Sequence, residues 1–158
     1  MSKIDIGELR KALRSYATGI AVVTTVDITG KPAGMTINSF ASVSLSPPLV
    51  LWSIDRKSDL FETFAQASHY AIHILRQDQE DVSNNFATDK NDKFTRQAYE
   101  AGLSNLPLLP DYITRFQCAI EHRYDGGDHI ILIGRILDMQ HKPAEPLLFH
   151  DGQYKTVS

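Results

Sequence analysis

The sequence predicts an antiparallel β-barrel with peripheral helices, and three observations carry that reading. Short runs rich in β-branched and apolar residues follow one another closely along the chain. Helix-like segments occur only as inserts, without the strand–helix alternation that builds a parallel sheet. Two long strand-like runs, "ITRFQCAIEHRY" and "HIILIGRILDMQ", flank "DGGD", whose glycines suit a tight hairpin between antiparallel neighbours.

In order along the chain, Asp5 is placed to cap a helix, with Glu8 three residues on and Leu9, Leu13 and Tyr16 at i, i+4 and i+7. Gly19 is expected to stop that helix as a left-handed cap. "IAVVTTV" (Ile20 to Val26) reads as a strand, and "DITGKP" as the turn into the next one. Gly34 to Pro48 reads as a strand plus exit loop, and Leu49 to Ile54 as a buried strand. A helix is expected over Asp59 to Ala67, with Ser58 as N-cap and Leu60, Phe61 and Phe64 facing inward. His69 to Leu75 is a further strand. "DQEDVSNNFA" and, less regularly, "KFTRQAYEAG" read as helices before the two long strands.

With 158 residues, 42% hydrophobic and 22% charged, the chain suits a single globular domain over 1–158. A net charge of -3 without a basic run argues against nucleic-acid or anionic-membrane partners. The lone Cys118 rules out an internal disulfide and leaves little basis for a cysteine zinc site. No apolar run reaches the ~18 residues of a membrane span, and the N-terminus lacks a signal-peptide core. The expected compartment is a reducing cytoplasm.

The motif search excludes several chemistries. G-x-G-x-x-G, the P-loop, G-x-S-x-G and H-E-x-x-H are all absent. The six histidines are scattered, so no metal site is expected. The stretch "GMTINSFASVSLSPP" stands out because Thr36, Asn38, Ser39, Ser42, Ser44 and Ser46 crowd a strand-like run. It is either a half-exposed edge strand or a cradle for a flat heterocycle, with small Ala41 and Ser42 allowing close backbone approach. "IDRKSD" offers a similar choice. Arg56 and Lys57 before Ser58 are either solvated surface or, at a helix start, a phosphate site.

Five segments, in order, then carry a resemblance: "LRSYATGIAVVTT", "GMTINSFASVSLSPPLVLWSIDRKS", "YAIHILRQDQEDVSNNFA", "GDHIILIGRI" and "PLLFHDGQY". The chain resembles the flavin reductase-like, FMN-binding split-barrel family, the reductase components of two-component flavin-dependent monooxygenases. The resemblance implies a mainly β, split antiparallel barrel that forms a homodimer. It implies FMN or FAD as cofactor, NADH or NADPH as co-substrate, and reduced flavin passed to an oxygenase. It assigns the isoalloxazine ring to Thr36, Asn38, Ser39, Ala41 and Ser42. The ribityl-phosphate side falls to Asp55, Arg56, Lys57 and Ser58 and to Asn85 and Phe86, the nicotinamide to His129 and Tyr154. His129 is expected to position rather than transfer a proton, because hydride passes between the two cofactors themselves. From the residues alone, it is equally a turn-edge histidine satisfied by Asp128. Two other readings compete: a flavin-binding electron carrier without multiple turnover, and a pyridoxamine-phosphate-oxidase-like enzyme. The second would need another phosphate-binding cluster, which the sequence does not offer.

Overall fold

In the computed structural model, which describes residues 3–157, the chain opens with α1 (Ile6–Leu13), β1 (Thr18–Gly19), β2 (Ala21–Val26), β3 (Pro32–Ile37), β4 (Ala41–Leu45) and β5 (Pro48–Asp55). There follow α2 (Phe61–Gln66), β6 (His69–Ile74), α3 (Glu80–Phe86), β7 (Glu100–Ala101) and β8 (Pro107–Leu108). The hairpin β9 (Thr114–Gly126) and β10 (His129–His141) leads to β11 (Leu147–His150) and β12 (Gln153–Thr156).

Seven strands form one antiparallel sheet in the order β3-β2-β6-β9-β10-β5-β4. Its two edges, β3 and β4, are consecutive in the chain and joined only by Asn38, Ser39 and Phe40. In a flat sheet those edges would lie ~29 Å apart, six spacings of ~4.8 Å. Ile37 to Ala41 can span at most ~14 Å. The sheet therefore has to curl until its edges meet. No ladder joins β3 to β4 among the described residues, so the barrel stays split. Ser39 staples the seam instead: its hydroxyl accepts from the Ser53 N–H at 3.1 Å and donates to the Ser53 carbonyl at 3.3 Å.

Strand β2 shows why the core has two parts. Its residues from Ala21 to Thr25 are buried on both faces. Ala21 and Val23 join Trp52, Phe64, Tyr70, Ile72 and Leu132 in the main core, while Val22 joins Leu75, Phe86, Leu109 and Leu147 on the other side. Each fully buried large side chain contributes roughly 1.5–3 kcal/mol. Trp52 meets the rings of Phe64 and Tyr70 edge-on, at 4.9 and 5.9 Å between centroids. Tyr70 lies against Gly134, where a bulge interrupts the β9–β10 ladder. An added Cβ at Gly134 would stand 2.3 Å from the Tyr70 hydroxyl, which itself donates to the Leu132 carbonyl at 3.1 Å.

The second core contains a buried histidine. His73, on β6, is fully enclosed. Its Nε2 accepts from the Leu109 N–H at 3.0 Å, which leaves Nδ1–H to donate to the Val22 carbonyl, also at 3.0 Å. Both ring nitrogens are satisfied only in that neutral tautomer. Burial chiefly, and the neighbouring Arg115 charge, pull its pKa down to about 4, although the Val22 bond acts the other way.

Several expectations need correction. Asp5 does cap α1, its carboxylate accepting from the Glu8 N–H at 2.9 Å, but the helix ends at Leu13 with Arg14 as its cap. Gly19 is extended strand, paired with Leu148, and has no capping role. Helix α2 begins at Phe61 with Leu60 in the cap position, so Ser58 is not its N-cap. The Ser58 hydroxyl instead accepts from the Leu60 N–H at 3.2 Å and shapes the turn before the helix. "KFTRQAYEAG" is not helical; it runs through bends into β7. Gly34 to Pro48 divides into two strands on opposite sheet edges.

Candidate functional site

A cleft of about 490 Å³ opens where four pieces of chain converge. Strand β3 and its exit supply Met35, Thr36, Ile37 and Asn38, and the turn before α2 supplies Lys57, Ser58, Asp59 and Leu60. Helix α3 and the loop after it contribute Ser83, Phe86 and a run ending at Lys93; β11 and β12 contribute Phe149 and Tyr154. The volume falls within the roughly 300–1,000 Å³ of small-molecule and cofactor pockets.

Close packing of α3 on β3 builds one wall. Gly34 permits it, because a Cβ there would stand 2.9 Å from the Phe86 ring. The Thr36 hydroxyl then donates to the Ser83 carbonyl at 2.6 Å. Tyr154 donates to Asn84 Oδ1 at 2.8 Å, so its oxygen is left to accept from the Ser83 hydroxyl at 2.7 Å. This relay fixes β12 to α3 and turns the Tyr154 ring into a rigid wall, packed edge-on against Phe149 at 5.7 Å.

Cations gather in the same cleft. Lys93 donates from Nζ to the Gly34 carbonyl at 3.0 Å and the Phe86 carbonyl at 3.2 Å. An ammonium has three donors, so one N–H remains. Burial draws the Lys93 pKa down, against the carboxylates of Asp89 and Asp59. Lys57 and Lys90 also line the cleft.

Of the residues singled out from the sequence, Thr36, Asn38, Lys57, Ser58, Phe86 and Tyr154 line this cleft. The others border it or stand apart. The Ser39 hydroxyl is spent on the seam. Ala41 and Ser42 are exposed on β4. The Asp55 carboxylate accepts from the Lys57 N–H at 2.8 Å, shaping the turn. Arg56 holds the hairpin tip, donating to the Gly127 carbonyl at 2.9 Å and pairing with Asp125. Asn85 donates to the Lys93 carbonyl at 2.8 Å and so fixes the backbone at the lysine. His129 sits at the same tip, opposite Asp55, with Nδ1 2.8 Å from Asp128. The hydrogen bond from His129 holds the Asp128 carboxyl below the usual range, and Lys57 adds to the effect.

Sequence reasoning missed Ser83, Lys93 and Phe149. Ser83 and Phe149 lie inside the segments "YAIHILRQDQEDVSNNFA" and "PLLFHDGQY", but Lys93 carried no local signal. No cluster of histidine, cysteine and carboxylate side chains capable of holding a metal occurs among the described residues.

The residues present fit a flavin. The hydroxyls of Thr36 and Ser83 and the Asn38 amide at the exit of β3 match the polar edge of the ring, aromatic walls match its faces, and the lysines match its phosphate.

Comparison with known proteins agrees with this chemistry. The profile of the flavin reductase like domain matches residues 13–158. The chain is 41% identical over 149 residues to the FMN reductase (NADH) SmoA of Agrobacterium fabrum, covering 94% of this chain and 84% of that one. It is 42% identical to the reductase component of a flavin-dependent trigonelline monooxygenase of Acinetobacter baylyi, covering 99% of this chain but only 52% of that longer relative. Among solved structures, the NADH:FAD oxidoreductase SgcE6 of Streptomyces globisporus, in complex with NAD and FAD fragments, superposes with a TM-score of 0.91 at 32% identity, covering 100% of this chain and 98% of its own.

Proposed function

This chain belongs to the flavin reductase-like domain family, and from that premise we propose that it is an NAD(P)H:flavin oxidoreductase supplying reduced FMN or FAD to a partner oxygenase. The observation that carries the reading is one cleft combining a polar edge (Thr36, Asn38, Ser83), aromatic walls (Phe86, Phe149, Tyr154) and lysines. When bound, the flavin supplies a two-electron acceptor for hydride from a reduced nicotinamide. The chain's own residues bind and orient. Thr36 and Asn38 would hold the ring edge, Phe86 and the Tyr154 ring would exclude water, and Lys93 with Lys57 would neutralise the phosphate beside the Ser58 hydroxyl. Ser39, Asp55, Arg56 and Asn85 support those positions through backbone contacts. Ala41, Ser42 and His129 belong to the proposal as the outer part of the site, with His129 positioning the nicotinamide from the hairpin tip.

Steady-state NADH or NADPH oxidation with excess free FMN tests the reading. Many flavins reduced per protein are expected. One equivalent would indicate an electron carrier, and no flavin-stimulated oxidation by folded protein would exclude both. In the same assay, Lys93→Met with Lys57→Ala is expected to raise KM for FMN at least about tenfold, as loss of charge-assisted bonds does. Riboflavin, without a phosphate, should be much less affected.

The same proposal includes a homodimer. Ile6, Leu13 and Tyr16 on and after α1, Val43 and Leu45 on β4 and Tyr124 on β9 are large apolar side chains left exposed in the single chain, Leu45 at 96%. Such surface favours a partner, and a second copy supplies the same patch by symmetry. Light scattering at micromolar concentration should return twice the chain mass; a monomer would contradict it. No helix among the described residues is long and apolar enough to cross a membrane. A single domain in a reducing cytoplasm completes the proposal, on the composition and the lone buried Cys118.

A further inference from the structure

A second cavity, also about 490 Å³, shares no lining residue with the first. Tyr99, Leu108, Pro110, Tyr112, Arg115 and Lys142 dominate its walls. Arg115 is its unusual member. The residue is only 8% exposed, its Nε is buried without a partner, and among the described residues no carboxylate lies within 4.0 Å of it. Nη1 donates to the Leu109 carbonyl at 3.2 Å, and the guanidinium carbon stands 4.7 Å from the Tyr112 ring centroid. Lys142 Nζ lies 4.6 Å from the same centroid. A buried guanidinium loses its hydration, and one carbonyl bond and a ring face replace only part of it.

We propose that this cavity binds a small organic carboxylate with an apolar body, its anionic end toward Arg115 and Lys142 and its body against Tyr99, Leu108 and Pro110. A guanidinium matches a carboxylate in two parallel hydrogen bonds. Among the described residues Glu100 is the only carboxylate lining the cavity, so its ionised lining sums to a single positive charge, which suits a monoanion better than a phosphate dianion. The apolar walls would find no partner on an inorganic ion. This site is independent of the flavin reading, since it uses none of the same side chains.

Benzoate is the probe, titrated calorimetrically into the full chain with FMN at saturation, so that the first cavity is closed to it. Saturable binding at millimolar or better concentration is expected, with benzyl alcohol and inorganic phosphate each at least about tenfold weaker. Lys142→Met and Tyr99→Ala alter exposed positions that should leave folding intact, and each should weaken benzoate severalfold. Arg115→Met should abolish binding if it folds. No saturable benzoate binding, phosphate binding as tightly, or affinity indifferent to both Lys142→Met and Tyr99→Ala would overturn the proposal.

Discussion

Gly134→Val is expected to lower the unfolding free energy by about 3 kcal/mol, the upper end of what overpacking a filled core costs. A side chain there begins 2.3 Å from the Tyr70 hydroxyl and 2.6 Å from the ring carbon that bears it. Tyr70 cannot retreat, because its ring is fully buried edge-on against Trp52. Either the strand bulges further or the hydroxyl gives up its bond to Leu132, which alone is worth roughly 1–3 kcal/mol in a buried setting. Urea unfolding at neutral pH measures the loss. A companion Tyr70→Phe change should recover part of it by removing the atom in closest conflict. A Gly134→Val protein within about 0.5 kcal/mol of the parent, the range of ordinary surface changes, would show that the strand and ring do not approach this closely.

Acid is expected to act on the fold through His73. Its folded-state pKa of about 4 lies below the ordinary 6.5, so the unfolded chain binds the extra proton between those values. Stability is therefore full above about pH 6.5 and declines as pH falls toward 4, by up to ~3 kcal/mol. Protonation places a donor on Nε2 where the Leu109 N–H already points, and adds a charge beside Arg115. Chemical denaturation at several pH values between 7 and 4 should show the decline. His73→Asn should be less stable at pH 7 yet flatter across that range. An unchanged slope in His73→Asn would falsify the assignment.

Much of the barrel was legible because its strands follow local rules. "IAVVTTV" is β-branched or apolar throughout and "LVLWSI" is so at all but Ser53; they emerge as β2 and β5, and the glycines of "DGGD" make the β9–β10 hairpin, with Gly127 at a positive φ of 78°. What escaped depends on distant partners. Nothing in "INSFAS" marks a corner, since it holds neither glycine nor proline; the break at Asn38–Phe40 exists because β3 and β4 find partners at opposite edges. Strands β11 and β12 have four residues each, too few for a period to show. Lys93 looks like any lysine in a charged loop until α3 and β3 bring two carbonyls to it. Phe86 and Tyr154 entered through family resemblance, and the cleft gives them physical grounds: one packs against Gly34, the other anchors the last strand.

The cleft draws its walls from segments far apart in sequence: Ile20 and Thr36 beside the early strands, Phe149 and Tyr154 from β11 and β12. On the ribosome these appear in a fixed order, and the barrel strands β2 to β10 are complete before β11 and β12 have been made. A nascent chain lacking residues 147–156 has no Tyr154 to brace α3 and no Phe149 to close the aromatic side. Flavin capture by the proposed cleft would therefore wait until Phe149 and Tyr154 have been made and β12 has docked on α3.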